Sequence, residues 1–148
     1  MTSSSSINRV LQNNKDFLGC FSYKNLPVVQ SIDFPKYLII NTSGSKTDGH
    51  WVVVYLYSEK ECFYFDSFGR KVTNKNLKKF LGSMYKFVYY NTTQIQDFDS
   101  KNCGLYSILF VKNVKTLQDY CKFINQFQIS NLKSNDVIAQ KLLIENKL

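Results

Sequence analysis

The chain has 148 residues, a formal net charge of +8 at pH 7, and 44% hydrophobic and 16% aromatic residues. That length suits one folded domain over 1–148, and so apolar a composition excludes a disordered chain. No window approaches the roughly eighteen consecutive apolar residues of a membrane-spanning helix, and residues 1–17 hold no apolar run of signal-peptide length, so an intracellular protein off the membrane is expected.

Residues 1–6 (MTSSSS) read as a disordered Ser/Thr-rich tail, followed by a short helix over 7–17 with Ile7, Val10 and Leu11 on one side. Residues 17–21 (FLGCF) read as a bend leading into a loop around Pro27. Residues 37–41 (YLIIN) form a short buried strand, closed by the turn-rich stretch TSGSKTDG. The most strand-like segment is 50–57 (HWVVVYLY), apolar on both faces as a central strand would be. Residues 58–60 make a turn, 61–66 (ECFYFD) run back as its partner, and 67–69 (SFG) break it.

Thr73 can cap a helix reaching about Tyr85. Leu77, Phe80, Leu81 and Met84 lie on one face, with Lys75, Lys78, Lys79 and Lys86 opposite. A strand over 86–90 (KFVYY) and helices near 104–113, 116–127 and 135–146 complete the order. The expected fold class is α+β, with helices packed on a mostly antiparallel sheet.

Four cysteines stand at 20, 62, 103 and 121, without a CxxC pair and with a single histidine, so a Cys/His zinc site is not expected and a reducing compartment is. Cys62 and Cys121 sit in apolar settings and read as small core hydrophobes. Cys103 differs. It precedes Gly104 and an apolar run at helical spacing, and the start of a helix favours an anion such as a thiolate.

A nucleophilic cysteine needs a base and a group that orients it, and His50 is the one histidine. If 58–60 form a three-residue hairpin loop, Tyr57 pairs with Glu61 and Asp66 falls opposite Val52. His50 shares a face with Val52, so Asp66 becomes its diagonal neighbour, able to accept from one ring nitrogen while the other faces the thiol. A histidine opening a strand or a cysteine before glycine is ordinarily structural. Base, orienter and nucleophile in compatible places together point to acyl transfer.

GHWVVVYLY, then YFDSFG, then Gln96 with six residues before Cys103-Gly104, resembles the adenain-type cysteine proteases of adenoviruses and Polinton-type elements. These share their core with the SUMO-deconjugating proteases. FLGCFSYKNLP and the strand ending Ile39-Ile40-Asn41-Thr42 fit the same pattern, so the resemblance covers roughly residues 17–111.

It implies a papain-like, adenain-like core with Cys103 as nucleophile at a helix N-terminus, His50 as general base and Asp66 as the orienting acid. Gln96 would place its amide in the oxyanion hole beside the Cys103 N–H, with Gln94 as the nearby rival. Gly49, Trp51 and Gly104 would border the substrate cleft, Trp51 shielding or lining it unless it packs as an ordinary aromatic.

The implied function is a viral maturation endopeptidase that cleaves capsid or core precursors at Gly-containing sites. It would act as a monomer in the virion and host nucleus. The chemistry requires no cofactor or metal; DNA and a non-covalent viral peptide are candidate activators. No cysteine lies within 67–102 to tether a peptide covalently, and Arg70, Lys71, Lys75, Lys78, Lys79 and Lys86 stand in a stretch (67–96) without one acidic residue. Such a surface suits DNA binding without sequence preference. The alternatives are a deubiquitinating or deSUMOylating protease of the same clan and a non-catalytic DNA-binding virion protein.

Overall fold

The computed structural model describes residues 3–28, 32–43, 49–83 and 86–145. Five strands make one sheet in chain order: β1 (Phe17–Ser22), β2 (Lys36–Asn41), β3 (Trp51–Leu56), β4 (Glu61–Phe65) and β5 (Phe87–Tyr90). The helices are α1 (Ser4–Leu11), α2 (Lys75–Gly82), α3 (Cys103–Asn113), α4 (Leu117–Asn125) and α5 (Asn135–Glu145). The class is α+β, as expected, but the sheet is mixed. β2–β3 and β3–β4 are antiparallel, whereas both outer strands pair in parallel. A short turn joins β3 to β4 and forces antiparallel pairing, while α2 fills a crossover long enough to return β5 parallel to β4.

β3 is buried at every position because both faces of the sheet are covered. On one face Trp51, Val53 and Tyr55 join a core with Ile7 and Leu11 of α1, Phe110 of α3, Phe123 of α4 and Ala139 of α5. On the other, Val52, Val54 and Leu56 pack with Leu77 and Leu81 of α2. α3 is buried over every residue from Cys103 to Val111, so it is the central helix, apolar all round.

Three local expectations are corrected. The 1–6 tail is helical from Ser4, because Ser3 caps α1 by accepting from the Ser6 N–H at 3.2 Å; the helix stops at Leu11 where Asn14 and Asp16 form a turn. Residues 17–22 are a strand and not a bend: Gly19, with φ 141°, marks a register shift that hides the strand in the sequence. α2 is capped by Asn74, whose Oδ1 accepts from the Leu77 N–H, and not by Thr73. Met84 and Tyr85 lie outside the described residues.

Candidate active site

The β3–β4 hairpin has the register that a three-residue turn imposes. Its pairs run from Leu56↔Cys62 to Val53↔Phe65, and the Tyr57 N–H donates to the Glu61 carbonyl at 3.2 Å. One step further sets Asp66 opposite Val52. His50 lies just before β3, yet its carbonyl accepts from the Thr42 N–H at 2.9 Å and from Thr42 Oγ1 at 3.2 Å, which keeps it in line with the strand. The diagonal contact forms, and His50 Nε2 lies 2.5 Å from Asp66 Oδ1. A carboxylate can only accept, so Nε2 carries the hydrogen and Nδ1 is left with its lone pair.

Asp66 is buried, at 3% exposure, and is fixed on every side. Oδ1 also accepts from the Phe68 N–H at 2.8 Å, and Oδ2 lies 3.7 Å from Arg70 Nε. Its backbone N–H donates to Asn91 Oδ1 at 3.1 Å, and Asn91 Nδ2 returns a bond to the Asp66 carbonyl at 2.7 Å. The Phe68 ring stacks on the imidazole at 4.4 Å and 15°, with the Arg70 guanidinium over that ring at 4.8 Å. Gly69 turns the chain here with φ +68°, and a Cβ would sit 2.7 Å from the Gln94 nitrogen, so only glycine fits.

Burial is the largest single influence on the His50 pKa and lowers it. The hydrogen bond to Asp66 and the nearness of Cys103, with their charges, outweigh it and hold the imidazole above its ordinary 6.5. Nδ1 is buried and makes no hydrogen bond of normal geometry. Cys103 is the group that shares its pocket, a space of about 350 Å³ also bordered by Gly49, Phe68, Ser100 and Lys101. The thiol lies 3.8 Å from the Gly49 carbonyl. Gly49 has φ +126°, and a Cβ there would meet Ser43 Oγ at 1.8 Å, so a larger residue would displace the backbone against which the thiol rests.

Cys103 is the first residue of α3. The first intrahelical bond is from the Tyr106 N–H to the Asn102 carbonyl at 3.2 Å, and Asn102 makes no side-chain cap. The N–H groups of Cys103, Gly104 and Leu105 therefore have no intrahelical or capping partner, which makes them donors for an anion beside the thiol. The other described thiols are placed differently. Burial pushes Cys20 and Cys62 up to about 12, which keeps both protonated near neutral pH, and Cys121 is exposed on α4.

Gln96 is fully buried and committed inside its own loop. Its Nε2 donates to the Ser100 carbonyl at 3.0 Å and lies 3.2 Å from Ser100 Oγ, while Oε1 accepts from Ser67 Oγ at 2.5 Å. Gln94 Nε2 donates to the Gln96 carbonyl at 2.9 Å. Neither amide borders the Cys103 pocket. Trp51 is also away from it: the ring is 2% exposed in the core on the α3 side, and the backbone carbonyl is 3.4 Å from Ser107 Oγ. Gly104 is buried in the first turn of α3.

Lys75, Lys78 and Lys79 are exposed on α2, Lys86 is exposed before β5, and Arg70 and Lys71 are exposed on the loop between β4 and α2. Arg70 and Lys71 also border a pocket of about 430 Å³ that His50 and Asp66 line as well. Sequence reasoning passed over Phe68, Asn91, Ser100 and Asp136. Phe68 stood inside the SFG motif and could have been read as a cover for the imidazole; Asn91 and Asp136 act across long sequence separations and gave no local signal.

No protein-family model and no curated protein matches the chain. Among solved structures, its fold is shared with the central domain of the uncharacterised Lpg1148 protein of Legionella pneumophila, at TM-score 0.56 and 15% identity over 99% of this chain and 96% of that one. The ASFV pS273R protease superposes at TM-score 0.49 with 17% identity, over 89% of this chain and 63% of that one. The Chlamydia abortus effector ChlaDUB does so at 0.49 with 18% identity, over 90% and 66%. The chain thus spans 63% of the length of the ASFV protease.

Proposed function

We propose that the protein is a cysteine peptidase of the papain-like, adenain-like type, with Cys103 as nucleophile, His50 as base and Asp66 as the group that orients it. The observation carrying this reading is a buried carboxylate bonded to one imidazole nitrogen while the other, unpartnered, shares a pocket with a thiol at a helix N-terminus. Nδ1 takes the thiol proton and the sulfur attacks the peptide carbonyl carbon. The first-turn N–H groups of α3 receive the oxyanion. The imidazolium then gives its Nδ1 proton to the leaving amine, and a thioester remains. Water, losing a proton to Nδ1, attacks the thioester and expels the thiolate.

The oxyanion role expected of the Gln96 side chain passes, in this reading, to the backbone N–H groups, with Gln96 bracing the loop before them. The substrates we propose are viral capsid or core precursors cut beside glycine. Hydrolysis of a Gly-Gly peptide, and labelling by a thiol-reactive peptide probe, should both vanish in Cys103→Ala. Retained hydrolysis by that variant would sink the proposal. Turnover confined to ubiquitin or SUMO C-terminal substrates would replace its substrate class with the modifier-removing one.

The six exposed cations further support an association with DNA. Its affinity should fall steeply between low and physiological salt, as backbone neutralisation requires. An affinity indifferent to salt would discount it.

A further inference from the structure

Ser3, Asn74 and Thr116 cap α1, α2 and α4 in extended backbone conformation, each accepting a first-turn N–H with its side chain. Asn102 is of an equally good capping type, yet its backbone is at φ −98°, ψ 22° and its side chain caps nothing. The cause is on α5. Asn102 Nδ2 donates to Asp136 Oδ2 at 3.0 Å, the Ser100 hydroxyl lies 2.9 Å from the same oxygen, and the buried Tyr106 hydroxyl donates to Oδ1 at 2.8 Å. Burial, with the bond to Asp136, drives the Tyr106 pKa far above its usual value, so the phenol remains a donor.

We propose that Asp136 is a positioning residue for the oxyanion site: by holding Asn102 and Ser100 it keeps the N-terminus of α3 uncapped beside Cys103. This rests on the peptidase reading above. A capping Asn102 carbonyl oxygen would accept the N–H of Gly104 or Leu105 and occupy the place where the substrate oxyanion must form. The Asp136 carboxylate prevents this by binding the amide end of that side chain, and three donors saturate its own charge. Through Ser100, whose Oγ also lies 3.2 Å from Gln96 Nε2, the same carboxylate is linked to the buried glutamine and hence to Ser67. Asp136 itself touches neither the thiol nor the imidazole; it acts through Asn102 and Ser100.

The test compares Asp136→Ala, Asn102→Ala and the double variant, all checked by thermal unfolding. Asp136→Ala should lower kcat by about 10²-fold, the scale of a misplaced catalytic group. Affinity for a peptide aldehyde, whose hemithioacetal oxygen takes the oxyanion place, should fall in parallel. Alkylation of Cys103 by iodoacetamide, which forms no oxyanion, should hardly change. Removing Asn102 as well eliminates the competing cap, so the double variant should regain about fivefold over Asp136→Ala, the weight of one N-cap.

A merely structural role predicts no recovery; equal impairment of single and double variants, or a kcat loss without loss of aldehyde affinity, overturns the proposal. Asp136→Asn, which keeps the volume and one acceptor, carries the same comparison if the alanine variant fails to fold. A wild-type protein that neither hydrolyses peptide nor binds the aldehyde would instead refute the peptidase reading itself.

Discussion

The two walls of the pocket are built by different means. The hairpin wall, His50 and Asp66, is set by strand pairing: a repeating backbone ladder fixes the register, and a period of two fixes the face. The loop wall, residues 91–102, which reaches the pocket at Ser100 and Lys101, has no ladder. It is tied down by buried side chains reaching backbone groups far away in sequence, from Asn91 to the Asp66 carbonyl and from Asn135 to the Ile95 carbonyl. A ladder distributes the work of positioning over many equivalent bonds, so one substitution in it disturbs chemistry more than fold. A polar clamp concentrates that work, so one substitution should disturb both.

The sharpest break of this comparison is on the hairpin wall. Asp66→Asn keeps the volume but removes the charge that holds the Nε2–H tautomer and stabilises the imidazolium. We expect kcat on the Gly-Gly peptide to fall by about 10⁴-fold, the cost of the equivalent change in triad enzymes. The denaturation midpoint should move little. A loss below tenfold would mean that this wall does not orient the base.

The loop wall should answer in the other coin. Asn135 has no exposure, and its amide joins the Ile95 carbonyl at 2.7 Å to both backbone groups of Gln128 at 2.8 Å. Asn135→Ala leaves those groups unpaired in the interior and should cost about 3 kcal/mol in urea unfolding. Unfolding within error of the parent would show that the loop is held by something other than its clamps.

What could be read from the sequence follows the same division. His50, Asp66 and their register were legible because a two-residue period and one turn length suffice to place them. The place of Cys103 at the head of a helix was legible because an apolar run at helical spacing begins there. The Gln96 amide was expected at the oxyanion site, and nothing local says that Ser67 and Ser100 will take up its hydrogen-bonding groups, as they do. Asn102 makes no side-chain cap because Asp136, 34 residues away, binds its amide, and no local pattern records that. β1 was missed because a positive-φ glycine interrupts its pairing, and the mixed sheet because strand direction depends on crossovers that periodicity does not record.

The smallest effect concerns pH, and it tests whether the hairpin wall contributes any stability at all. The imidazole binds its proton more tightly in the folded protein than its ordinary 6.5, with Asp66 the first of the groups responsible for the rise. A group whose pKa is raised on folding stabilises the fold fully below its unfolded pKa and loses that contribution as the pH climbs through the folded one. The difference in melting temperature between the parent and Asp66→Asn should therefore be widest just below pH 6.5 and narrow above the folded pKa. It should not close completely, since the neutral ring still donates Nε2–H to the carboxylate. The expected difference is a few degrees at most, because about 1 kcal/mol moves a domain of this size by only a few degrees. A gap that widens with rising pH would have the wrong sign, and would mean that the neutral imidazole is the form this wall is built to hold.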